Sequence, residues 1–303
     1  MISKDGERIL IKQHYKIVGK HSAVKLCHWL KKGILDENFC YKQKFYGIQS
    51  HRCLQFTPAV VWCTHRCLFC WRNTEQTIGY EMKEFDEPEF IVEEAIKAQQ
   101  KLLSGYGGIP ERIKKKKFEE AKKPNQVAIS LAGEPLIYPK ISELIKEFSK
   151  RECTTFLVTN GTFPKVLSEM TLPTQLYISL VAPTEELYKK ICNPLISDGW
   201  KRFNASLGLF PSLDTKKVIR ITLVKGWNDV FPEEYAKLIE KAEPDFLEVK
   251  SYMFVGGSRK RLTWDNMPSF DECKNFAEKI NENLGYTFKD SKRDSRVLLL
   301  KKK

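Results

Sequence analysis

Cys63, Cys67 and Cys70 stand close together in the segment CTHRCLFC, at the spacing C-x3-C-x2-C. A tight loop with this spacing can direct all three thiolates at one centre. A four-iron cluster held by three cysteines keeps one iron without a protein ligand, whereas clusters that only carry electrons usually take four. An open iron can bind a substrate, as an open zinc site does. The segment therefore predicts a catalytic iron–sulfur site.

Zinc is the alternative for the same segment, with His65 or a distant residue as the fourth ligand. Closed structural zinc sites normally show two paired sets of ligands, and this chain has a single C-x2-C pair. The spacing favours iron over zinc for this reason.

Cys27, Cys40 and Cys53 form a second set, spaced C-x12-C-x12-C. Such wide spacing is not a zinc-finger pattern, and three lone thiols make a poor structural site. We expect a second four-iron cluster with an open iron, which could chelate and polarise a small α-keto acid. The remaining cysteines lie in apolar or helical contexts where a small buried hydrophobe is expected: Cys153, Cys192 and Cys273.

Predicted strands and helices alternate along the chain, and we expect them to position these cysteines. Strands of four to eight apolar and β-branched residues are predicted at TPAVVWC before Cys63 and at 126–133, 154–160, 175–182, 218–226 and 246–253. Helical periodicity occupies the intervals, so the strands should be parallel with crossover helices. Six such units predict an α/β fold, a partial (β/α)6 TIM-like barrel, with its site at the carboxyl ends of the strands.

Three regions follow from this pattern. Residues 1–55 form a cysteine-bearing N-terminal extension, residues 56–290 the partial barrel, and residues 291–303 a C-terminal segment whose basic tail is expected to fray. Two segments look inserted. Residues 105–125 carry four consecutive lysines and are typical of a mobile solvated loop, while residues 253–264 follow a strand and place basic charge on the active-site face.

The chain resembles the radical SAM (S-adenosylmethionine) superfamily in its C-x3-C-x2-C loop with an aromatic residue before the last cysteine. In that superfamily the open iron chelates SAM, and an electron from the cluster splits SAM to give a deoxyadenosyl radical. Leu131-Ala132-Gly133-Glu134-Pro135 is similar to the Gly-Gly-Glu-Pro turn that binds the SAM amino group, with Ala132 in place of the first glycine. The resemblance implies these SAM contacts: Phe69, Ala132, Gly133, Glu134, Thr159, Asn160 and Ser179.

Two three-cysteine sets, together with the segments FCWRN, SLAGEP, VTNGT, ITLVKGWND and EVKSYM, resemble the archaeal tRNA 4-demethylwyosine synthase family over essentially the whole chain. The resemblance implies two 4Fe-4S clusters, SAM and pyruvate. It also implies conversion of N1-methylguanosine-37 of phenylalanine tRNA to the tricyclic base 4-demethylwyosine. Nothing in the sequence corresponds to the flavodoxin-like domain of eukaryotic members, so we expect an external ferredoxin- or flavodoxin-type electron donor and a monomeric enzyme.

A lysine that forms a Schiff base with pyruvate would activate its carbonyl group. Lys42 is the first candidate because it lies two residues from Cys40 and hence near the second cluster. Lys250 is the alternative, since it is expected at the end of a barrel strand beside Glu248. Proximity comes before pKa in choosing a catalytic group, which favours Lys42.

The chain has 51 Lys and Arg against 38 Asp and Glu, a formal net charge of +13. Such an excess favours a polyanionic partner, although a lysine-rich solvated surface would look the same. Trp62, Trp71 and Trp264 could stack on a flipped base, but Trp62 fits a core position better. The basic residues expected to contact tRNA are Lys31, Lys32, Lys114, Lys115, Lys116, Lys117, Arg259, Lys260 and Arg261.

No apolar run approaches the roughly 20 residues that span a bilayer, and the N-terminus lacks the apolar core of a secretory signal, so we expect a cytoplasmic protein without a membrane segment. Two other interpretations stay open. One is a different radical SAM enzyme with an auxiliary cluster, such as an RNA methylthiotransferase or a peptide-modifying enzyme. The other is a zinc-organised RNA-binding protein without catalysis, which would explain the cysteines and the charge but not Glu134 or Asn160.

Overall fold

The computed structural model describes residues 2–303, which divide into two compact units. The first contains residues 2–62, 81–158 and 170–174, and the second contains residues 63–80, 159–169 and 175–303. Among the described residues, none of the helices combines the length and the apolar character needed to cross a bilayer.

The first unit contains the strands β1 (Lys16–Val18), β2 (Ser22–Val24), β3 (Cys53–Thr57), β4 (Gln126–Ile129) and β5 (Thr154–Thr159). They lie side by side in chain order. β2 pairs antiparallel with both β1 and β3, and β3, β4 and β5 are parallel. The helices are α1 (Lys4–Lys12), α2 (His28–Ile34), α3 (Tyr41–Tyr46), α4 (Pro88–Leu103), α5 (Lys115–Ala121) and α6 (Ile141–Lys150).

The second unit contains the strands β6 (Gln175–Ser179), β7 (Lys216–Leu223), β8 (Phe246–Ser251), β9 (Thr287–Lys292) and β10 (Val297–Lys301). β6, β7 and β8 are parallel, and β10 then pairs antiparallel with both β8 and β9. The helices are α7 (Pro164–Glu169), α8 (Glu185–Cys192), α9 (Gly199–Leu209), α10 (Pro232–Ala242) and α11 (Phe270–Asn281).

The five predicted strands from residue 126 onward are confirmed, with shorter bounds, as β4 to β8. The prediction for the strand before Cys63 is wrong, because the first parallel strand is β3 and ends at Thr57. Pro58 follows and has no N–H for a strand ladder. The apolar residues after it are buried in a turn in which Trp62 N donates to Ala59 O at 3.2 Å.

Two further expectations differ from the structure. The C-terminal segment does not fray, because β10 is buried and Lys302 N donates to Asp245 O at 3.0 Å. The lysine-rich insertion is not a plain loop, because residues 115–121 form α5. Phe118 and Ala121 of this helix pack into an apolar cluster with residues of α2, and that burial orders the segment.

Candidate active site

The cysteine loop, residues 63–70, begins the second unit and is bonded through its backbone to the end of α8 and to the segment after it. Leu68 N donates to Ile191 O at 2.9 Å, and Leu195 N donates to Thr64 O at 2.7 Å. Within the loop, His65 N donates to Cys63 Sγ at 3.4 Å. The three cysteines are therefore carried on a fixed backbone.

The thiols of the cysteine loop are close to one another and to one cation. Burial raises the pKa of Cys70, and the neighbouring Cys192 thiol together with burial raises the pKa of Cys67. The guanidinium of Arg72 acts in the opposite direction on both thiols, and its own pKa reflects Cys63 as well. Buried thiols that share a cationic neighbour fit the thiolate ligands of an iron–sulfur cluster.

His65 has a different environment from the one that a zinc ligand of this loop would need. Its Nε2 lies 2.6 Å from the hydroxyl of Tyr188, and burial lowers its pKa to about 3. Its potential ligand atoms group with those of Cys67 and Cys192, all within 4.8 Å of one another. That group leaves out the other two cysteines of the loop, so zinc would not account for the C-x3-C-x2-C spacing.

Asn160 and Ser179, two of the predicted SAM contacts, line the same small cavity in the second unit. Asn160 Nδ2 donates to the hydroxyl of Thr64 at 2.8 Å and lies 3.8 Å from Cys63 Sγ. Ser179 is the last residue of β6. The structure thus brings the end of β6 and the residue after β5 together with the first cysteine of the loop.

Phe69 and Thr159 are the other predicted SAM contacts in this unit. Phe69 is half-buried against an apolar cluster that includes Val181 and Ala182. The hydroxyl of Thr159 accepts the backbone N–H of Gly161 at 3.1 Å, which shapes the turn after β5. Both residues have a structural role independent of any ligand.

The predicted Glu134 turn follows β4 in the first unit. Gly133 has φ +69°, and a Cβ there would lie 1.8 Å from Ala59 O and 2.5 Å from Trp62 O. Glycine is required because no side chain fits this close approach of two backbone segments. Glu134 is buried, with its N–H bonded to Trp62 O at 2.9 Å, and Ala132 is also buried. The carboxylate is therefore carried by a rigid turn.

Cys27, Cys40 and Cys53 come together in the first unit. Cys27 precedes α2, Cys40 precedes α3, and Cys53 begins β3. Burial raises the pKa of Cys53, and the nearby Cys27 and Cys40 raise it further. Three elements within residues 27–53 thus bring their thiols close enough for Cys27 and Cys40 to act on Cys53.

Lys42 lies beside this second set of cysteines. It is 8% exposed, and its Nζ is 4.4 Å from the centre of the Phe156 ring. Its charge lowers the pKa of Cys27 and of Cys53, opposing the larger effect of burial. Lys42 is thus a buried amine beside the three thiols of this set.

Lys250 has a different setting, in the second unit. Its Nζ donates to the carbonyl oxygen of Ser295 at 2.6 Å. The adjacent Glu248 is fully buried and accepts a 2.9 Å hydrogen bond from Arg220 Nε. Lys250 therefore has a contact that links β8 to the turn before β10, as a structural lysine would.

Arg261, predicted from the sequence as a tRNA contact, bonds to the cysteine loop in the structure. Its guanidinium donates to Leu68 O at 3.1 Å and to Cys70 O at 2.5 Å, so it holds the cysteine loop. Gly257 N donates to Trp71 O at 2.7 Å on the same segment. We call residues 256–261 the strap, because they fasten the loop from the side of β8.

The other basic residues predicted to contact tRNA are exposed or half-exposed. Lys32 pairs with Glu37, and Lys117 pairs with Asp36. Arg259 lies over the Phe254 ring at 5.4 Å, and Trp264 is 63% exposed. Trp62 is a core residue, as its apolar context predicted. The exposed residues of the set are Lys114, Lys115, Lys116, Arg259 and Lys260.

Sequence reasoning assigned no role to Arg72 or to Cys192, although both contact the cysteine loop. Arg72 lies only two residues beyond Cys70, but a sequence does not reveal that its charge is buried. Cys192 lies 122 positions beyond Cys70 and meets Cys67 only in the folded chain. Burial of Cys153, Cys192 and Cys273 agrees with the prediction.

Comparison with known families agrees with this geometry. The radical SAM superfamily matches residues 57–242, and the family described as wyosine base formation matches residues 241–302. The chain is thus a radical SAM enzyme, and this class uses SAM and a 4Fe-4S cluster.

Comparison with curated relatives identifies the family within this superfamily. An S-adenosyl-L-methionine-dependent tRNA 4-demethylwyosine synthase of Pyrococcus abyssi is 57% identical over 295 residues, covering 95% of this chain and 86% of the relative. The enzyme of the same name from Methanocaldococcus jannaschii is 44% identical over 308 residues, covering 99% and 96%. The chain belongs to the tRNA 4-demethylwyosine synthase family.

Solved structures confirm the predicted α/β partial-barrel fold. A structure described as TYW1 with a lysine-pyruvate adduct bound matches with a TM-score of 0.91 and 41% identity, covering 99% of this chain and 96% of that one. A crystal structure of archaeal TYW1 matches with a TM-score of 0.83 and 37% identity, over the same shares of the two chains.

Proposed function

We propose that this chain condenses N1-methylguanosine-37 of phenylalanine tRNA with two carbons of pyruvate to form 4-demethylwyosine, using two 4Fe-4S clusters and SAM. The observation that carries the proposal is the second set of cysteines, because Cys27, Cys40 and Cys53 converge beside a buried lysine. Radical SAM chemistry alone needs only the first set, so the additional centre and its amine indicate a second substrate.

In this proposal the cysteine loop holds the first cluster, and Glu134, Asn160 and Ser179 bind SAM. Bound SAM and its cluster supply the radical that removes one hydrogen from the N1-methyl group. Glu134 would accept a hydrogen bond from the SAM amino group, since an ionised carboxylate offers only acceptor oxygens. The side-chain amide of Asn160 would hydrogen-bond to polar groups of SAM beside Cys63. A 2.8 Å hydrogen bond from this amide to Thr64 already orients it.

Cys27, Cys40 and Cys53 would hold the second cluster, which could bind and polarise pyruvate, and Lys42 Nζ would attack carbonyl carbon C2 with loss of water. The methyl carbon radical then adds to C2. The C1–C2 bond of pyruvate breaks, C1 leaves as the radical anion CO2•−, which carries away the unpaired electron, and the C2=N bond to Lys42 re-forms. The guanine amine displaces Lys42 Nζ, which closes the third ring and frees the lysine. A relative with a lysine-pyruvate adduct supports this role for a lysine.

The net charge of +13 suits a tRNA substrate. Exposed lysines and arginines would bind phosphates, while the target base leaves the stack to reach the radical. Trp264 and the Arg259–Phe254 pair would offer stacking surfaces. We propose that the enzyme acts as a cytoplasmic monomer and receives electrons from a separate ferredoxin- or flavodoxin-type protein.

Anaerobic reconstitution tests the two-centre arrangement. Wild type should bind about eight irons, cleave SAM and modify N1-methylguanosine tRNA only with pyruvate. Cys63→Ala should lose SAM cleavage, and Cys27→Ala should keep cleavage but lose the product. Cys153→Ala is the matched control, since it removes a buried cysteine outside both sets. A wild type with zinc and intact SAM would reject the proposal, and the pyruvate dependence excludes a methylthiotransferase.

A further inference from the structure

Arg72 is a buried cation that hydrogen-bonds to two neutral oxygen groups and to the side chain of Cys70. Its side chain is 5% exposed. Nη1 donates to the Thr77 hydroxyl at 2.8 Å, and Nη2 donates to the carbonyl oxygen of His65 at 3.0 Å. Within residues 2–303, no carboxylate forms an ion pair with this guanidinium. Burying a charge without an anionic partner is strongly unfavourable, so the position calls for a negative group that the carboxylates do not provide.

Arg72 is bonded directly to the cysteine loop. Its side chain hydrogen-bonds to the side chain of Cys70, and the carbonyl oxygen that Nη2 contacts belongs to His65, which lies between Cys63 and Cys67. Three thiolates outweigh the positive charge of a four-iron core, and reduction adds one more negative charge. A fixed cation therefore stabilises the reduced cluster more than the oxidised one, and net charge and hydrogen bonds to sulfur are known determinants of cluster potentials.

We propose that Arg72 is a positioning residue that offsets the thiolate charge of the SAM-binding cluster and makes that cluster easier to reduce. Thr77 and the His65 carbonyl fix the guanidinium so that its charge faces the cysteines. The inference rests on the first cluster of the proposed function being held by the cysteine loop. It adds a determinant of the electron-transfer step, which must precede SAM cleavage.

The test is a potentiometric titration of the reconstituted full chain, followed by electron paramagnetic resonance. The signal that changes on SAM addition identifies the first cluster. Arg72→Gln should shift the midpoint potential of that signal to more negative values, and Arg72→Lys should shift it less. Arg202→Gln is the control, because it removes an equal charge from an exposed pair with Asp198 and should leave the potential unchanged.

Thermal unfolding separates this role from simple packing. Arg72→Gln should lower the unfolding temperature of the cluster-loaded protein but not of the cluster-free protein, where the buried charge lacks its partner. A packing role would destabilise both forms equally. If Arg72→Gln fails to retain the first cluster, Thr77→Val keeps the charge, loosens the guanidinium and should give a smaller negative shift.

The inference is overturned by an unchanged midpoint potential in Arg72→Gln with full iron content. If only Thr77→Val and Arg72→Lys can be loaded, unchanged potentials in both overturn it. A wild type that binds no iron at the cysteine loop would instead show that the proposed function has failed, so the two failures are distinguishable.

Discussion

Lys42 is the residue on which the proposed pyruvate chemistry depends. It is buried beside Cys27 and Cys53, whereas the amine of Lys250 bonds to the carbonyl of Ser295. Sodium cyanoborohydride with labelled pyruvate should fix one adduct on wild type, located at Lys42 by peptide mass spectrometry. Lys42→Arg should abolish the adduct and lower product formation at least about 100-fold, as loss of a covalent nucleophile does.

Lys250→Arg is the matched control for this experiment, and it should keep both the adduct and the product. A Lys42→Arg variant that still forms the pyruvate adduct, with Lys250→Arg losing it, would reverse the assignment. Loss in both variants would point to a contribution from each lysine, which contradicts the single-amine mechanism.

Gly133 sets the stability of the turn that carries Glu134. Gly133→Ala should destabilise the protein by at least about 1–3 kcal/mol, because a side chain at positive φ is strained and this one would also overlap Ala59 O. Calorimetry should find a lower unfolding temperature. Gly105→Ala is the control, since a Cβ there meets no atom within 4 Å, and equal effects of both changes would refute the close-approach argument.

The two arginines of the strap have different contacts and should have different roles. Arg261 bonds to carbonyls of the cysteine loop, and Arg259 is exposed above Phe254. Arg261→Ala should therefore loosen the loop and reduce iron after desalting from about eight toward about four per chain, through loss of the first cluster. Iron analysis and the SAM-sensitive paramagnetic signal measure this.

Arg259→Ala gives the contrasting result for the strap. Its iron content and SAM cleavage without tRNA should equal those of wild type, while its affinity for tRNA should fall. If Arg261→Ala keeps full iron and loses only tRNA affinity, that result would support the predicted tRNA contact of Arg261 and contradict its role in holding the cysteine loop.

The sequence predicted most secondary-structure elements, but not the residues at which they begin and end. β4 to β8 follow from runs of apolar and β-branched residues, and those runs lie where expected. The first parallel strand was misplaced because AVVWC is as apolar as a strand yet is buried as a turn after Pro58. The local pattern of apolar residues indicates which residues are buried, but it does not distinguish a buried loop from a buried strand.

The residues of the candidate site that have a recognisable spacing could be selected from the sequence. The two cysteine sets and Lys42 could be selected from the sequence, and the structure places Lys42 beside Cys27 and Cys53. The contacts of Arg72 and Arg261 with the cysteine loop could not be predicted, because an arginine in a loop is normally solvated. Only the folded chain shows that one is buried against thiols and the other against carbonyls.

For the whole molecule, the basic charge should make tRNA binding depend steeply on salt. Each lysine that contacts a phosphate contributes about 1 to the slope of log affinity against log salt concentration. Lys115→Ala with Lys116→Ala should reduce that slope by about 2. Lys237→Ala, on an exposed face of α10 beside Glu234, should leave it unchanged. Equal slopes for all variants would remove α5 from the tRNA surface.

The carbons of pyruvate can be followed into tRNA with isotopic labels. Reconstituted wild type is incubated anaerobically with N1-methylguanosine tRNA, SAM, a reductant and pyruvate labelled with carbon-13 at C1 or at C2 and C3. We expect a tricyclic base that carries label from C2 and C3 and none from C1. Cleaved SAM with no pyruvate carbon in the tRNA would contradict the proposed condensation.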